Sequence, residues 1–248
     1  MSAREFQTGD AARGGEFEAL CERLCERLAA GLGREVGAAT AGGSGPRQSP
    51  AGGSGPREGA AGGVGARLKQ AAVALVLREN AGRAELLIIK RAERERDHWS
   101  GHLALPGGRR EASDADLVRT AVRETWEEVG LDLDDGGAVL GGLDVVRPQS
   151  PLAPQVEVWP FVAAAPPAYH VPEGGPAPRE LVLNHEVAAA FWLPAALLRE
   201  RGRSEVFRMV FGGRQLKWPA YASEHGPIWG ITERILTNFL ALAWGQET

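Results

Sequence analysis

Three glutamates and an arginine in the middle of the chain have the spacing of a catalytic cluster. In the stretch RETWEEVG, residues 123–130, side chains three or four positions apart share one helix face, so Glu124, Glu127 and Glu128 lie together. Like charges at this spacing repel, at a cost of about a few tenths of a kcal/mol per pair. Carboxylate oxygens suit Mg²⁺ or Mn²⁺, so a divalent cation would explain the cluster. A solvated acidic face neutralised by neighbouring arginines explains it as well from spacing alone.

A helix over residues 113–130 positions these carboxylates. Ser113, with Asp116 three residues later, predicts a capping box at its start, and Gly130 predicts its end. The helix follows Gly107 and Gly108, whose backbone can approach a ligand or a metal that a Cβ atom would obstruct. The opposite face is apolar, which predicts that the helix rests on a sheet. That apolar face consists of Ala115, Val118, Val122 and Val129.

Short strand patterns surround this helix. Alternating and apolar runs predict strands over residues 70–80, 85–91, 102–106, 156–166 and 186–194, with a turn at residues 79–82. Residues 206–211 and 214–221 predict a hairpin that turns at Gly212-Gly213, and residues 228–244 predict a closing helix with Ile231, Ile235, Phe239 and Leu240 on one stripe. Strands this frequent, with few crossover helices, favour an α+β fold over a doubly wound sheet.

The N-terminal quarter of the chain has a different character. Phe17, Leu20, Leu24 and Leu28 are spaced as the apolar stripe of a helix, within a region that we assign to residues 1–36. Cys21 and Cys25 lie on it one turn apart and are interpreted as apolar helix positions. The helix could pack back on the main domain or pair between subunits, so a homodimer stays open.

A linker separates that helix from the main domain. Residues 37–67 hold eleven of the 33 glycines and a tandem copy of AGGSGPR, so they have nothing to bury and predict a flexible segment. The main domain then comprises residues 68–248.

Composition excludes several classes of function. The 248 residues carry a net charge of −4, without the basic surplus typical of proteins that bind nucleic-acid polymers. Two cysteines cannot form a disulfide framework, and no stretch approaches the roughly 20 apolar residues of a membrane span. The sequence therefore predicts a cytoplasmic protein without a membrane partner. A zinc site is not expected, because the histidines lack ligand spacing.

The central segment resembles the Nudix box, the signature of a family of metal-dependent diphosphate hydrolases. Arg123-Glu124, Glu127-Glu128, Gly130 and Leu131 match the pattern, whereas Thr125 replaces an aliphatic residue. The step from Gly108 to Arg123 is one residue longer than the family pattern, so the expected glutamate falls on Asp114 or Ala115.

The longer box is similar to that of the coenzyme A diphosphatase branch. The upstream stretch LLIIKRAERERDHWSGHLALPGG resembles that branch's motif in order, with Leu105 in place of phenylalanine. Further similarities lie in VWPFV, residues 158–162, and IWGITERIL, residues 228–236. The resemblance covers the chain from residue 68 onward and implies a Nudix fold, a mixed sheet between helices.

The resemblance implies a role for each matching residue. Glu124 and Glu128 would be the principal ligands of Mg²⁺ or Mn²⁺ with Glu127 beside them, and Arg123 would hold a carboxylate in position by a charge-assisted hydrogen bond.

Other residues are candidates with competing explanations. Glu111 or Asp114 could reach the same metal, although Asp114 also suits the first turn of a helix. Glu127 or Glu186 would act as the base, and Glu186 could instead be a solvated turn residue. Arg91 and Arg96 could bind substrate phosphates or belong to a polar loop. Gly107 and Gly108 are also candidates, since their backbone could bind the substrate.

The expected function is hydrolysis of a nucleoside diphosphate linked to another group. Coenzyme A or a derivative is the first substrate hypothesis, giving 3′,5′-ADP and 4′-phosphopantetheine. The alternatives are ADP-ribose, a dinucleotide or an oxidised nucleotide as substrate, and a non-catalytic Nudix-fold binding module. The carboxylate cluster argues against the binding module, since a binder need not keep mutually repelling charges.

Overall fold

Helices and strands follow one another without the regular repeat of a doubly wound sheet. The computed structural model describes residues 15–39, 68–95, 100–148, 155–211 and 214–245. The α-helices in these ranges are α1 (Gly15–Ala39), α2 (Leu117–Val129), α3 (Ala195–Arg201) and α4 (Gly230–Trp244), and Pro167–Tyr169 form a 3₁₀ turn. The strands are β1 (Lys69–Asn80), β2 (Arg83–Arg91), β3 (Leu103–Ala104), β4 (Gly107–Arg109), β5 (Ala138–Gly142), β6 (Val156–Ala164), β7 (Val187–Pro194), β8 (Glu205–Phe211), β9 (Arg214–Tyr221) and β10 (Ile228–Trp229).

The larger sheet is mixed. Its main path is β3-β2-β1-β6-β5, while β4 also pairs with β1 and β7 with β2. β1 and β6 run parallel, and the other pairs in this sheet are antiparallel. β8, β9 and β10 form a second, antiparallel sheet.

The two faces of β1 contribute to different parts of the core. Ala72, Ala74 and Val76 are buried in one cluster together with the apolar residues of α2. Leu75 and Leu77, which alternate with them, belong to the other cluster, which also contains side chains of α1 and α4. A mixed sheet between helices was expected from the sequence, and this expectation is confirmed.

The β1–β2 hairpin turns at the predicted place. Asn80 is paired with Arg83, so only Ala81 and Gly82 form the loop, and both have positive φ, at 47° and 81°. Two-residue loops with this conformation match the twist of the flanking strands.

The C-terminal elements agree with the sequence except at one boundary. Ile235 and Phe239 are buried and Ile231 and Leu240 are partly buried against the same cluster, as the predicted stripe requires. Residues 228–229, predicted as the start of the helix, instead pair with β9 as the strand β10. The predicted turn at Gly212-Gly213 lies outside the described residues.

The N-terminal helix α1 packs on the main domain. Phe17, Leu20, Leu24 and Leu28 all belong to the cluster on the side of the sheet opposite α2. A Cβ atom at Gly141 of β5 would lie 2.6 Å from Cβ of Leu28, so the helix and this strand are in close contact. Of the two alternatives that the sequence left open, the structure contains the intramolecular one.

The structure describes only the first three residues of the predicted linker, residues 37–39. The helix α1 extends to Ala39, three residues beyond the predicted boundary at residue 36, and residues 40–67 lie outside the described part of the chain.

The two cysteines of α1 differ in environment. Cys21 packs against the core, and burial raises the pKa of its thiol to about 12. Cys25 is exposed, so its interpretation as an apolar packing position is wrong, because it lies on the solvent side of the helix. Within the described ranges, no helix has the length and apolar character needed to cross a bilayer.

We expect Leu24→Ala to lower the free energy of unfolding by about 2–5 kcal/mol, because its fully buried side chain fills the contact between α1 and the domain. Urea denaturation measures this change. The matched control is Cys25→Ser, an exposed neighbour, which should change stability by no more than about 0.5 kcal/mol. Equal denaturation midpoints for Leu24→Ala and the wild type would contradict the packing of α1.

Candidate active site

The helix α2 begins and ends at well-defined caps. Asp116 is the N-cap, with extended backbone, and its carboxylate accepts the backbone N–H of Arg119 at 2.8 Å. The predicted cap at Ser113 is wrong, because the Ser113 hydroxyl lies outside the helix and donates to Glu111 instead. Gly130 ends the helix in the left-handed conformation, with φ of 66°, as predicted.

One side of α2 is buried against the sheet, and this side includes polar residues. Thr125, which stands where the family pattern has an aliphatic residue, is fully buried, and its hydroxyl donates to the Ala121 carbonyl at 2.7 Å. The hydroxyl therefore has a partner within the helix, and its burial costs little.

Glu128 is the buried carboxylate of the site. Its side chain is 4% exposed, and Oε2 accepts the backbone N–H of Gly107 at 2.8 Å. The pKa of Glu128 is raised to about 7, chiefly by burial and also by the negative charges of Glu124 and Glu186. The hydrogen bond from Gly107 opposes this rise. The positive charge of Arg91 lowers it.

The glycine pair allows β4 to approach both β1 and the acidic face of α2. A Cβ atom at Gly107 would lie 2.6 Å from Cα of Val73. A Cβ atom at Gly108 would lie 2.7 Å from Oε2 of Glu124, within its carboxylate. Any other residue at position 108 would therefore displace Glu124 from the edge of the strand.

Arg123 is surrounded by acceptor oxygens of four residues. Its guanidinium contacts both oxygens of Asp114 at 2.9 and 3.0 Å, an oxygen of Glu124 at 3.1 Å and an oxygen of Glu127 at 2.9 Å. It also donates to the Arg109 carbonyl at 3.2 Å, which connects the helix to the end of β4. Arg123 thus fixes the positions of Glu124 and Glu127 relative to the glycine pair.

Asp114 holds Arg123 in place. Besides the two bonds from Arg123, it accepts bonds from the Thr120 hydroxyl and from the Glu111 backbone N–H, both at 2.9 Å. The Arg123 hydrogen bonds keep the pKa of this buried carboxyl well below its usual range. Because both oxygens already have donors, the arrangement is that of a positioning residue and differs from the metal ligand expected from the sequence. Asp114 also precedes the N-cap, so it does not lie in the first turn.

Glu111 is not brought to the carboxylate pair. Its side chain is exposed and contacts the Ser113 hydroxyl at 3.4 Å. The side chain shows no contact with Glu124 or Glu128 within the described ranges, so its expected role as a ligand of the same metal stays a prediction from the sequence.

Glu186 lies at the border of the site. Its Oε1 pairs with Arg94 at 2.9 Å, and its carbonyl accepts the backbone N–H of Ala92, just after β2. Its negative charge raises the pKa of both Glu124 and Glu128, so it lies near the pair.

The upstream segment is connected to the site through Arg91. Its backbone N–H donates to the His102 carbonyl at 3.0 Å, and its carbonyl accepts the Gly101 N–H at 3.1 Å. The ring of His102 lies edge-on to Trp229, with ring centroids 4.9 Å apart. The second sheet thereby supports the strand end that carries Arg91. Arg96, the other candidate for phosphate binding, lies outside the described residues.

Sequence reasoning did not find the segment that closes over the C-terminal end of α2. The backbone N–H of Asn184 donates to the Glu128 carbonyl at 3.1 Å, and that of Val182 donates to the Val129 carbonyl at 2.9 Å. The Asn184 side chain accepts the backbone N–H of Glu186 at 2.8 Å, a local turn that Asn favours. The sequence Asn-His-Glu was the available signal for this turn.

Glu124 and Glu128 are the side chains that could hold a divalent cation. Burial raises the pKa of Glu124, against the lowering effect of Arg123, just as burial raises that of Glu128. Two carboxylates desolvated by burial, of which Glu124 also raises the pKa of Glu128, fit a cation between them, and Mg²⁺ binds through one or two carboxylates while keeping several waters. Among the described residues no three His, Cys, Asp or Glu side chains are gathered as a metal site, so these two carboxylates and water would supply the ligands.

Comparison with known proteins defines the class. The model of the NUDIX domain matches residues 68–210. A Nudix hydrolase, NudL, of Citrobacter koseri is 32% identical over 182 residues, which cover 71% of this chain and 83% of that protein. A Schizosaccharomyces pombe protein, C14C4.10c, is 52% identical over 60 residues, and that stretch covers 24% of this chain and only 18% of the yeast protein. A MutT/nudix family protein from Enterococcus faecalis has a solved structure with a TM-score of 0.46 and 15% identity, covering 93% of this chain and 74% of that one.

The chain therefore belongs to the Nudix family. Its activity is that of the family, hydrolysis of the diphosphate bond in nucleoside diphosphate derivatives, and enzymes of the family generally use divalent metals such as Mg²⁺ or Mn²⁺.

We expect Glu128→Gln to stabilise the metal-free protein at about pH 8 and to have little effect near pH 4.5. The pKa of Glu128 is raised on folding from 4.5 to about 7, so the stability that it contributes is complete below pH 4.5 and is lost as pH rises through 7. The amide avoids this loss, which is about 1–3 kcal/mol at high pH.

Urea denaturation in EDTA between about pH 4.5 and 8 measures the difference. Glu111→Gln is the control, because this exposed carboxylate has no contact with the pair. Parallel stability curves for Glu128→Gln and the wild type across this range would contradict a raised pKa.

We expect Asp114→Asn to destabilise the protein by about 3 kcal/mol at neutral pH, because it removes the main partner of a largely buried arginine. The pKa of Asp114 is lowered on folding, so its contribution is present at neutral pH and is lost as the solution becomes strongly acidic. Thermal and urea denaturation follow the change.

A second measurement separates positioning from metal binding. Mn²⁺ affinity, followed by electron paramagnetic resonance, should fall much less in Asp114→Asn than in Glu124→Gln. An equal fall in both variants would identify Asp114 as a metal ligand after all.

Proposed function

We propose that the chain hydrolyses the diphosphate bond of coenzyme A or a derivative, with Mg²⁺ or Mn²⁺, to give 3′,5′-ADP and 4′-phosphopantetheine. The observation that carries the proposal is that Arg91 is near enough to the buried Glu128 for its positive charge to lower the pKa of that carboxyl. Arg91 begins the upstream stretch that resembles the coenzyme A branch, and the bonds to Gly101 and His102 hold this stretch against the site. The one-residue extension of the box supports the same branch, since it forms the loop in which Asp114 holds Arg123.

Glu124 and Glu128 would hold the cation, with Glu127 beside them. A divalent ion at this position supplies a Lewis acid for the diphosphate oxygens and lowers the pKa of a bound water. Arg123 keeps Glu124 at the edge of the strand, and the N–H of Gly107 fixes one oxygen of Glu128 so that the other can serve as a ligand. The absence of a side chain at Gly108 leaves room for the Glu124 carboxylate against the strand.

Glu186 is our choice for the general base. Its carboxylate is exposed to water, is oriented by Arg94 and is near enough to Glu124 and Glu128 for its charge to raise the pKa of both. Glu127 is the second candidate, and its carboxylate is occupied by Arg123 at 2.9 Å. The positive charge of Arg91 acts on Glu128 and would attract a substrate phosphate bound near it.

The cytoplasmic location and a homodimer stay predictions from the sequence. The small-molecule substrate class follows from the family, whereas its identity is the subject of this proposal.

We expect the protein to release 3′,5′-ADP and 4′-phosphopantetheine from coenzyme A when Mg²⁺ or Mn²⁺ is supplied, as identified by mass spectrometry. The panel also contains ADP-ribose, NADH and dinucleoside polyphosphates. Glu124→Gln should lose at least about a hundredfold in kcat, since even residues that only support a metal ligand contribute 10–100-fold. Glu111→Gln, a matched loss of one exposed carboxylate, should retain activity.

Two further readouts complete the experiment. Mn²⁺ binding measured without substrate should be lost in Glu124→Gln and kept in Glu186→Gln, whose kcat falls. Cleavage of ADP-ribose or a dinucleotide without cleavage of coenzyme A would refute the substrate assignment.

A further inference from the structure

The proposed general base lies on a tight turn between the segment that closes over α2 and the strand β7. The Val187 backbone N–H donates to the Asn184 carbonyl at 3.3 Å, so residues 184–187 form a β-turn with His185 and Glu186 at its centre. Glu186 is exposed, whereas Val187 is buried in the same cluster as the apolar residues of α2. The base therefore reaches solvent from a position directly before an anchored one.

The side chain of Asn184 closes a second ring inside this turn. Its Oδ1 accepts the backbone N–H of Glu186 at 2.8 Å, which is the bond of an Asx turn and is shorter than the 3.3 Å bond of the β-turn itself. Fixing the backbone of one residue costs entropy equivalent to about 1–2 kcal/mol, so a single long bond restricts such a turn poorly. The Asn184 side chain supplies the further restriction at Glu186.

Asn184 also connects the turn to α2. Its backbone N–H donates to the Glu128 carbonyl at 3.1 Å. Glu128 lies in the last turn of the helix, where the carbonyls have no partner within the helix and need one outside it. Through its N–H and its Oδ1, Asn184 therefore joins the backbone of a proposed cation ligand, Glu128, to the backbone of the proposed base, Glu186.

The backbone of Glu186 is held on both sides of its Cα atom. Asn184 binds its N–H, and its carbonyl accepts the N–H of Ala92 at 2.8 Å, just after β2. Its carboxylate is paired with Arg94 at 2.9 Å. Removal of the Asn184 acceptor leaves the bonds to Ala92 and Arg94 in place and frees the side of the turn that is connected to α2. Glu186 would then keep its surroundings and lose its fixed position relative to Glu128.

We propose that Asn184 is a positioning residue for the hydrolysis, which holds the general base Glu186 at a fixed distance from the cation bound by Glu128. The inference rests on the proposed function, in which Glu186 is the base. The Asn184 backbone N–H ties the turn to α2, and the Asn184 amide oxygen orients Glu186 on that turn. Asn184 itself touches neither the substrate nor the attacking water, so its effect on the rate passes through Glu186.

The test begins with variants that remove or restore the Asx turn. Asn184→Ala should lower kcat by about tenfold or more and leave KM within about twofold, because a misplaced base affects the transition state and not substrate binding. Asn184→Gln keeps the amide but is one methylene too long for this turn, and it should lose as much. Asn184→Ser, whose hydroxyl closes the same turn more weakly, should recover part of the loss. Asn238→Ala, at an exposed position of α4, is the matched control and should keep the wild-type kcat.

A double-mutant cycle separates action through Glu186 from a general structural effect. When Glu186→Gln is already present, adding Asn184→Ala should lower kcat by less than about twofold, because the base that Asn184 positions is absent. Mn²⁺ affinity, measured without substrate, should stay within about twofold of the wild type in Asn184→Ala, which shows that the carboxylate pair is intact.

The outcomes distinguish the inference from the proposed function. An unchanged kcat in Asn184→Ala, an equal loss with and without Glu186, equal kcat values for the Ser and Gln variants, or lost Mn²⁺ binding overturns the inference and leaves the base assignment standing. An unchanged kcat in Glu186→Gln instead refutes the base assignment in the proposed function. If coenzyme A is not cleaved, the substrate assignment alone fails, and the cycle is measured with the diphosphate that the wild type cleaves.

Discussion

The contact between β4 and the acidic face of α2 is the constraint on which the site depends. At Gly108 the strand comes so close to Glu124 that a single carbon atom would occupy the position of its carboxylate. One residue earlier, the Gly107 N–H provides Glu128 with its hydrogen bond. A strand with side chains at these positions would separate the sheet from the carboxylates, and the proposed metal site would lose its geometry. The two glycines thus determine how far apart the sheet and α2 lie.

This close contact gathers negative charge, and the surrounding residues compensate for it in two ways. Arg123 neutralises the exposed side of the cluster and is itself fixed by Asp114 at 2.9 Å. On the buried side no such counter-ion is present among the described residues except the more distant charge of Arg91, and the pKa of Glu128 rises accordingly to about 7. On the side of Arg123 the negative charge is neutralised, and the ion pairs there stabilise the structure. On the side of Glu128 the negative charge has no such partner among the described residues, which favours the binding of a cation. Glu124 belongs to both sides, because it contacts Arg123 and its charge acts on Glu128.

Local patterns in the sequence predicted the elements well, and tertiary contacts account for the differences. The strands of the β1–β2 hairpin and the end of α2 at Gly130 depend on side chains near one another in sequence, so their patterns were sufficient. The N-cap was predicted at Ser113 because Ser and Asp both cap helices, and only the folded loop shows that Asp116 is the residue in contact with the free N–H groups. The role of Asp114 could not be predicted, because its spacing fits a metal ligand equally well until the position of Arg123 is known. The amphipathic pattern of α1 likewise shows that its apolar face packs against a surface, but the pattern does not identify that surface.

The packing of α1 has a consequence for how strongly that helix must bind. Residues 40–67 join Ala39 to Leu68 covalently, so docking is intramolecular, and a tether of this kind gives an effective concentration on the order of millimolar. A contact far too weak to hold a separate peptide is therefore enough to keep the helix in place. The four apolar side chains can therefore form a weak contact, and the docked state still dominates at every protein concentration. The covalent connection through residues 40–67 thereby raises the effective concentration of α1 at its docking surface.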